Sequence, residues 1–416
     1  MKLAIIGGGT AGCAIAAHLS KYFPQFDLYH VYSSTIPSIG VGEGTFPVFA
    51  EWIHKITGLN FAALQERCKV TRKFGIQFEN WGVKHRQFTH NFYPQNIQHA
   101  YHISAVEVVK LLQEHISATY LDRKVSSIES NGVEVKLKFE DNSQLEVDFA
   151  FDARGFPKSP ETENYEHISL IPTNAALIRR GAAVNSLSVT RSIARPHGWI
   201  FVIPLTTHTS YGYVYNSSIN SMAQIETDFE QFFYEEKVKP TDNTKHLNFP
   251  NFTCKSFFDG SLFKVGNAAS FVEPLEATSL VLVFLEMILA SDFILKDLHA
   301  VKNKRKKFDE GTIKTVNDFL YRKVWETSLF ISWHYAEGSC FQSDFWDFAK
   351  SNFHQELKKL KPKELTDNFQ KYLNASSKMD TWQYLGFNYK NYDRQPFGLF
   401  KSLSFYEMGY GIGCFE

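Results

Sequence analysis

The chain has 416 residues, with 44 basic side chains against 44 acidic ones. That length can bury a large core in one or two domains, and the zero net charge excludes a global field for recruiting nucleic acid or an anionic membrane. Five cysteines, at 13, 68, 254, 340 and 414, lack C-x-x-C spacing, which excludes a disulfide frame or zinc site and points to a reducing, cytoplasmic setting.

Residues 1–12 read MKLAIIGGGTAG. Ala4-Ile5-Ile6 predict a buried strand, Gly7, Gly9 and Gly12 fit G-x-G-x-x-G, and 11–19 carries a helical apolar pattern. A strand, a glycine turn and a helix in that order form a seat for a dinucleotide diphosphate. The glycines let the backbone approach the phosphates, and free N–H groups at the helix start receive them. No charged segment precedes this strand, so no signal peptide is expected. Residues 26–32 (FDLYHVY) predict a second strand. It ends at Ser33-Ser34 rather than at an acid that would hold a ribose, which argues against a nicotinamide cofactor. Residues 36–47 form a glycine-rich loop around a buried-looking acid, Glu43. In 72–81, Lys73, Gly75, Gln77, Glu79 and Trp81 alternate with Phe74, Ile76 and Phe78. The pattern predicts a strand with Lys73 on an exposed polar face.

Residues 101–115 predict a helix, and 133–139 with 145–151 predict a β-hairpin around Asp141-Asn142. The second of these strands runs into 152–156 (DARGF) and ends at its glycine. Short β patterns across 186–214 predict a second sheet. Residues 262–265 predict a strand, which turns at 266–269 and is followed by a long apolar helix over 278–295. The longest apolar run, 279–290, contains Glu286 and is too short to span a bilayer. KNKRKK at 302–307 reads as a solvated helix face, and the last third of the chain as mostly helical. His102, His197 and His334 suit no metal spacing and are assigned to structure or pocket lining.

Seven stretches carry a more specific signal: IIGGGTAG (5–12), IPSIGVGEGTFP (36–47), RKFGIQFENW (72–81), HGWIFVIPL (197–205), YGYVYNSS (211–218), GNAASFVEPLEATSL (266–280) and HYAEGSCFQSDFW (334–346). Taken in order they resemble the flavin-dependent halogenases of the tryptophan-halogenase type. The resemblance implies an α/β fold: an FAD-binding Rossmann-like module of glutathione-reductase type, an inserted second sheet and a helical C-terminal substrate region. The chain is then one interleaved unit. Residues 1–55, 100–160 and 255–298 lie on the FAD side, and 56–99, 161–254 and 299–416 on the substrate side.

The resemblance also implies site residues. Gly7, Gly9, Thr10, Ala11 and Gly12 hold FAD, joined by Ser33, Val41, Glu43 and Val125 and, further along, by Gly266, Asn267 and Leu280. Thr278 and Ser279 offer N–H groups to a halide ion, although hydroxyls there are equally ordinary helix caps. Trp199, Phe201, Ile203 and Pro204 line the passage between flavin and substrate, with Phe201 where the family has a second tryptophan. Lys73 matches the catalytic lysine and Glu276 the catalytic glutamate, with Glu273 a weaker candidate. Read from the residues alone, these acids are first-turn helix acids favoured by the dipole.

The activity implied is halogenation of an electron-rich aromatic (indole, pyrrole or phenol type), dependent on FADH2, oxygen and halide. It proceeds through hypohalous acid relayed by Lys73, and a separate flavin reductase supplies FADH2. The C-terminal region is shorter than in tryptophan halogenases, which favours a larger or carrier-tethered substrate over free tryptophan. No nucleic-acid or membrane partner is expected, and a homodimer is compatible with the sequence. Two alternatives stay open on these residues: a flavin monooxygenase that hydroxylates without halide, and a non-catalytic flavin-binding protein.

Overall fold

From Leu3 onward every residue of the first strand, Lys2–Ile6, is buried. A strand covered on both faces is apolar at each position, which is the mark of a parallel sheet between helices. The computed structural model describes residues 1–36, 42–93, 97–158, 164–184, 186–296, 308–378 and 398–415, with Gly42 and Glu43 described by backbone alone. Lys2–Ile6 pairs in parallel with Asp27–Tyr32 on one side and Phe149–Asp152 on the other. Thr119–Asp122 and Leu262–Lys264 extend this sheet to five parallel strands. The helix Thr10–Tyr22 buries Cys13, Ile15, Ala16 and Leu19, small and aliphatic residues that let it pack closely.

A seven-stranded sheet forms the second layer. Its order is Lys245–Asn248, Ala175–Gly181, Thr209–Tyr215, Gly198–Pro204, Thr190–Arg195, Gly75–Glu79 and Gln87–Asn91. Along Gly198–Pro204 the side chains alternate: Trp199, Phe201 and Ile203 join the main core, while Ile200 and Val202 join a smaller core with Phe229, Phe232 and Phe233 of the helix Met222–Glu235. A small sheet of Gly42–Gly44, Ala100–Ser104 and Thr71–Lys73 lies beside it. The C-terminal layer is helical, built from Glu310–Glu337, Asp344–Lys359, Lys363–Ser376 and Ser402–Ile412. Aromatic rings weld it together, with Phe330 stacked on Phe400 at 3.8 Å between centroids and Trp333 on Phe405 at 5.8 Å.

Several expectations change. The segment 101–115 is a strand, Ala100–Ser104, followed by the helix Ala105–Gln113, because pairing with two other strands overrides the helical pattern. Of the expected second hairpin strand, Gln144–Val147 pairs with Val135–Phe139, whereas Phe149–Asp152 leaves the hairpin for the parallel sheet. The polar face predicted for 72–81 does not form. Thr71–Lys73 and Gly75–Glu79 belong to different sheets, so their alternation never shares one surface, and Lys73 is 1 % exposed. The helix begun at Thr278 is regular to Leu289 and continues as π-helix over Ala290–Leu295. Thr278–Leu295 is 18 residues long and apolar enough to cross a membrane by length and composition, but 61 % of it is buried, as in a core helix. All five cysteines are free. The basic run 302–307 and Val41 lie outside the described residues.

The first helix meets the first strand only because residue 12 has no side chain: a Cβ on Gly12 would stand 2.0 Å from the Gly7 carbonyl oxygen. Gly12→Ala is expected to cost about 1–3 kcal/mol of stability. An unchanged midpoint in urea unfolding would contradict this packing.

Candidate active site

The glycine turn has the shape of a phosphate cradle. Gly7 sits at φ +135°, and a Cβ there would collide with the Ala153 backbone at 2.2 Å. Gly9 precedes the helix, and a Cβ on it would meet nothing within 4 Å, so open space lies over the turn. The helix Thr10–Tyr22 has no side-chain cap and no acid in its first turn. Its first N–H groups therefore suit an anion, and the residues present fit the diphosphate of FAD. A second turn, Gly266–Ala268, abuts this one: a Cβ on Gly266 would lie 3.2 Å from the Ala11 Cβ. Asn267 is in that turn and Leu280 on the following helix. Buried Glu286 accepts from the Gly266 N–H at 2.8 Å, and burial pushes its carboxyl up to about 8. Ser33 follows the second strand, its hydroxyl 2.8 Å from that of Thr35. Val125 packs in a core cluster with Ile6 and Val31. Glu43 pairs by backbone with Ile103.

Lys73 ends the strand Thr71–Lys73 with its side chain inside the protein. Nζ donates to the Thr45 carbonyl at 3.2 Å and lies 5.5 Å from the centre of the Phe92 ring. Burial pushes the ammonium down to about 8 from the ordinary 10.5, opposed by the charge of Glu276. Beside it, His102 Nε2 is 2.9 Å from the Thr190 hydroxyl, and burial holds His102 well below the usual imidazole range. Gly44 marks where these groups converge. A Cβ there would lie 3.0 Å from Lys73 Nζ, 3.5 Å from Thr190 Oγ1 and 3.6 Å from the Cβ of Ala277.

Glu276 stands one residue before Ala277, at the mouth of the apolar helix. His90 Nδ1 lies 3.1 Å from each carboxylate oxygen, and His334 Nε2 lies 3.1 Å from Oε1. Burial alone raises this carboxyl, but the charge of His90 and bonds from both histidines outweigh it and hold it at about 2. On the other ring nitrogen, His90 Nε2 lies 2.9 Å from the hydroxyl of Ser404, on the last helix. The two acids of EPLE thus separate. Glu273 faces Tyr335 and Thr173, whose hydroxyls donate to Oε2 at 2.6 and 3.0 Å, and burial pushes it up to about 7.

Trp199 joins the Glu273 network, its indole N–H donating to the Tyr335 hydroxyl at 2.6 Å. Phe201 packs against Gly212, where a Cβ would stand 2.1 Å from its Cζ. Ile203 is buried, and Pro204 offers its carbonyl to the Thr71 hydroxyl at 2.7 Å, tying this strand to the one that carries Lys73. At the helix start the hydroxyl caps do not form. Ala277 is the N-cap residue at φ 55°, ψ 35°; Ser279 Oγ reaches the Val272 carbonyl at 3.5 Å, and the buried Thr278 Oγ1 has no hydrogen-bond partner. His334, assigned to lining from the sequence, is a direct partner of Glu276. His90 and Ser404 carried no signal, since single polar residues in QFTHN and KSLSF have no spacing that marks a site.

Two outcomes follow from this geometry. Gly9→Ala has room for its methyl and an extended backbone, so stability should stay within about 0.5 kcal/mol while FAD affinity falls, as titration would show. The Lys73 ammonium titrates near 8 when folded and near 10.5 when unfolded. Below pH 8 the folded chain carries the full cost of a buried ammonium. Between 8 and 10.5 the unfolded chain binds more protons, so that cost fades as pH rises. Wild type should gain on the order of 3 kcal/mol over Lys73→Met across that window. Parallel unfolding curves at pH 7.5 and 10 would contradict it.

Comparison with known proteins places the fold and the family. A family model described as tryptophan halogenase matches residues 2–96 and 93–414. The tryptophan 7-halogenase RebH of Lentzea aerocolonigenes is 22 % identical over 427 residues, 83 % of this chain and 78 % of that one. The 7-chloro-L-tryptophan 6-halogenase KtzR of Kutzneria sp. (strain 744) is 23 % identical over 374 residues, 67 % of this chain and 70 % of that one. Among solved structures, the flavin-dependent halogenase Xcc4156 of Xanthomonas campestris superposes with a TM-score of 0.81 at 19 % identity, covering 99 % of this chain and 88 % of its own. BrvH, a flavin-dependent halogenase of Brevundimonas sp. BAL3, gives 0.77 at 20 % identity, covering 100 % and 90 %. With a match that runs from the first strand to the last helix, the chain belongs to the tryptophan halogenase family.

Proposed function

We propose that this protein uses FADH2, oxygen and a halide ion to halogenate an electron-rich aromatic of indole, pyrrole or phenol type, with Lys73 as the relay. The observation that carries the reading is that Lys73 and Glu276 are both buried and act on one another electrostatically, with Lys73 Nζ and the Cβ of Ala277, the residue after Glu276, both facing Gly44. Bound with oxygen and halide, the reduced cofactor supplies hypohalous acid.

Lys73, with its pKa pushed down to about 8, offers an ammonium that hydrogen-bonds the hypohalous acid and makes the halogen more electrophilic, and a fraction of neutral amine that can carry the halogen itself. Glu276, ionised, stabilises the positive charge that develops on the ring and receives its proton. Trp199 and Phe201, packed from behind by Tyr335 and Gly212, keep substrate away from the cofactor. Thr278 and Ser279 present backbone N–H groups that suit a halide, because no side chain caps this helix.

The substrate is larger than free tryptophan, or tethered to a carrier. The chain spans only 70–78 % of the length of the two curated relatives named above, and the shorter C-terminal region read from the sequence is the ground for this assignment. A separate flavin reductase delivers FADH2 in the cytoplasm, and the enzyme works as a monomer or homodimer. The division into an FAD side (1–55, 100–160, 255–298) and a substrate side is part of the same reading.

Incubation with a flavin reductase, FAD and bromide against a panel of indoles and phenols should give brominated products by mass spectrometry. Hydroxylated products instead, with or without bromide, would overturn the reading. Turnover of free tryptophan alone would overturn the substrate assignment. Lys73→Ala should abolish halogenation while oxygen consumption continues, and Glu276→Gln should lower kcat by about 10²–10⁴-fold.

A further inference from the structure

The hydrogen-bond geometry around Glu276 fixes where one proton sits. His334 lies within the helix Glu310–Glu337, and its side chain is 0 % exposed. Its Nδ1 stands 2.7 Å from the carbonyl oxygen of Phe330. A carbonyl only accepts, so Nδ1 carries a hydrogen. The other ring nitrogen, Nε2, faces Glu276 Oε1 at 3.1 Å. A neutral ring with its hydrogen on Nδ1 has a bare lone pair at Nε2, which a carboxylate oxygen repels. One proton must therefore lie between Nε2 and Oε1.

The neighbours decide which atom holds it. His90 Nδ1 is 3.1 Å from both carboxylate oxygens. The Lys73 ammonium acts on the same carboxylate, and the charge of Glu407 also acts on His90. The His334 ring also packs against the rings of Phe78, Phe330 and Trp333. A carboxyl that meets donors on both oxygens is favoured in its charged form.

We propose that His334 is a positioning residue held as an imidazolium, and that its Nε2–H bond anchors Glu276 as an oriented carboxylate. It acts on the reaction through Glu276. Its charge offsets part of the attraction between Glu276 and Lys73, which leaves the lysine free to lose its proton. The consequence for catalysis rests on the halogenase reading above, whereas the protonation state does not.

The test is nitrogen NMR of the full-length protein with 15N-labelled histidine, His334 being assigned from its absence in His334→Gln. Both ring nitrogens of His334 should carry hydrogens in wild type, and only Nδ1 should in Glu276→Gln. A neutral His334 in wild type overturns the proposal, as does an imidazolium that persists in Glu276→Gln. In turnover, His334→Gln keeps a donor toward Glu276 but loses the charge. Its kcat should fall on the order of 10²-fold with KM for the aromatic unchanged; a loss confined to KM counts against the proposal. Absence of halogenation by wild type would defeat the functional reading and leave the NMR result standing.

Discussion

Burying an ammonium and a carboxylate in one apolar shell is the constraint on which the rest of this structure depends. Neither ion is stable alone in such a place, and a buried pair recovers its lost hydration only when the geometry and the surrounding hydrogen bonds are good. Here the compensation is uneven. Glu276 has imidazoles on both oxygens and is held ionised, while Lys73 has a carbonyl, an aromatic ring and the charge of Glu276, which burial outweighs, so its grip on the proton loosens. That asymmetry suits the chemistry. In the proposed reaction, a lysine that titrates near 8 polarises or carries the halogen, and an ionised glutamate stabilises positive charge before it removes a proton.

The compensating groups come from distant parts of the chain, which explains the architecture. Lys73 arrives on a strand of the small sheet, His90 on the edge strand of the large one, Glu276 on a loop leaving the cofactor side, and His334 on the long C-terminal helix. The helix Ser402–Ile412 closes the edge. Its Ser404 meets His90, and its Glu407 accepts from the backbone N–H and side-chain amide of Asn91. One local strain goes with this convergence. Ala277 adopts the left-handed region, which glycine tolerates and alanine does not, at a cost of about 1–2 kcal/mol. Strain of that kind persists only where surrounding contacts over-determine it, and here it sets both the Glu276 side chain and the uncapped helix start.

The second acid, Glu273, shows how environment separates two similar residues. Three positions from Glu276, it meets hydroxyls instead of imidazoles and is pushed up instead of down. Through Tyr335 it supports Trp199, so one short loop supplies both the histidine-bound carboxylate and the backing of Trp199.

Much of this was legible in the chain itself. The apolar run 4–6 followed by Gly7, Gly9 and Gly12 determined a buried strand and a glycine turn shaped to fit a diphosphate, because only glycine permits the close approaches at Gly7 and Gly12 and the pattern is local. The order of the family motifs marked Lys73 and Glu276. Other features needed the tertiary structure. Strand alternation put Lys73 on a polar face, yet its strand and the next enter different sheets, a choice that long-range pairing makes. The helix expected over 101–115 gave way to a strand for the same reason. His90, His334 and Ser404 are single polar residues far apart in sequence, and their chemistry arises only where folding brings them onto one carboxylate. Sequence determines what is local and periodic; the charge state of a buried site is decided by neighbours that only the folded chain supplies.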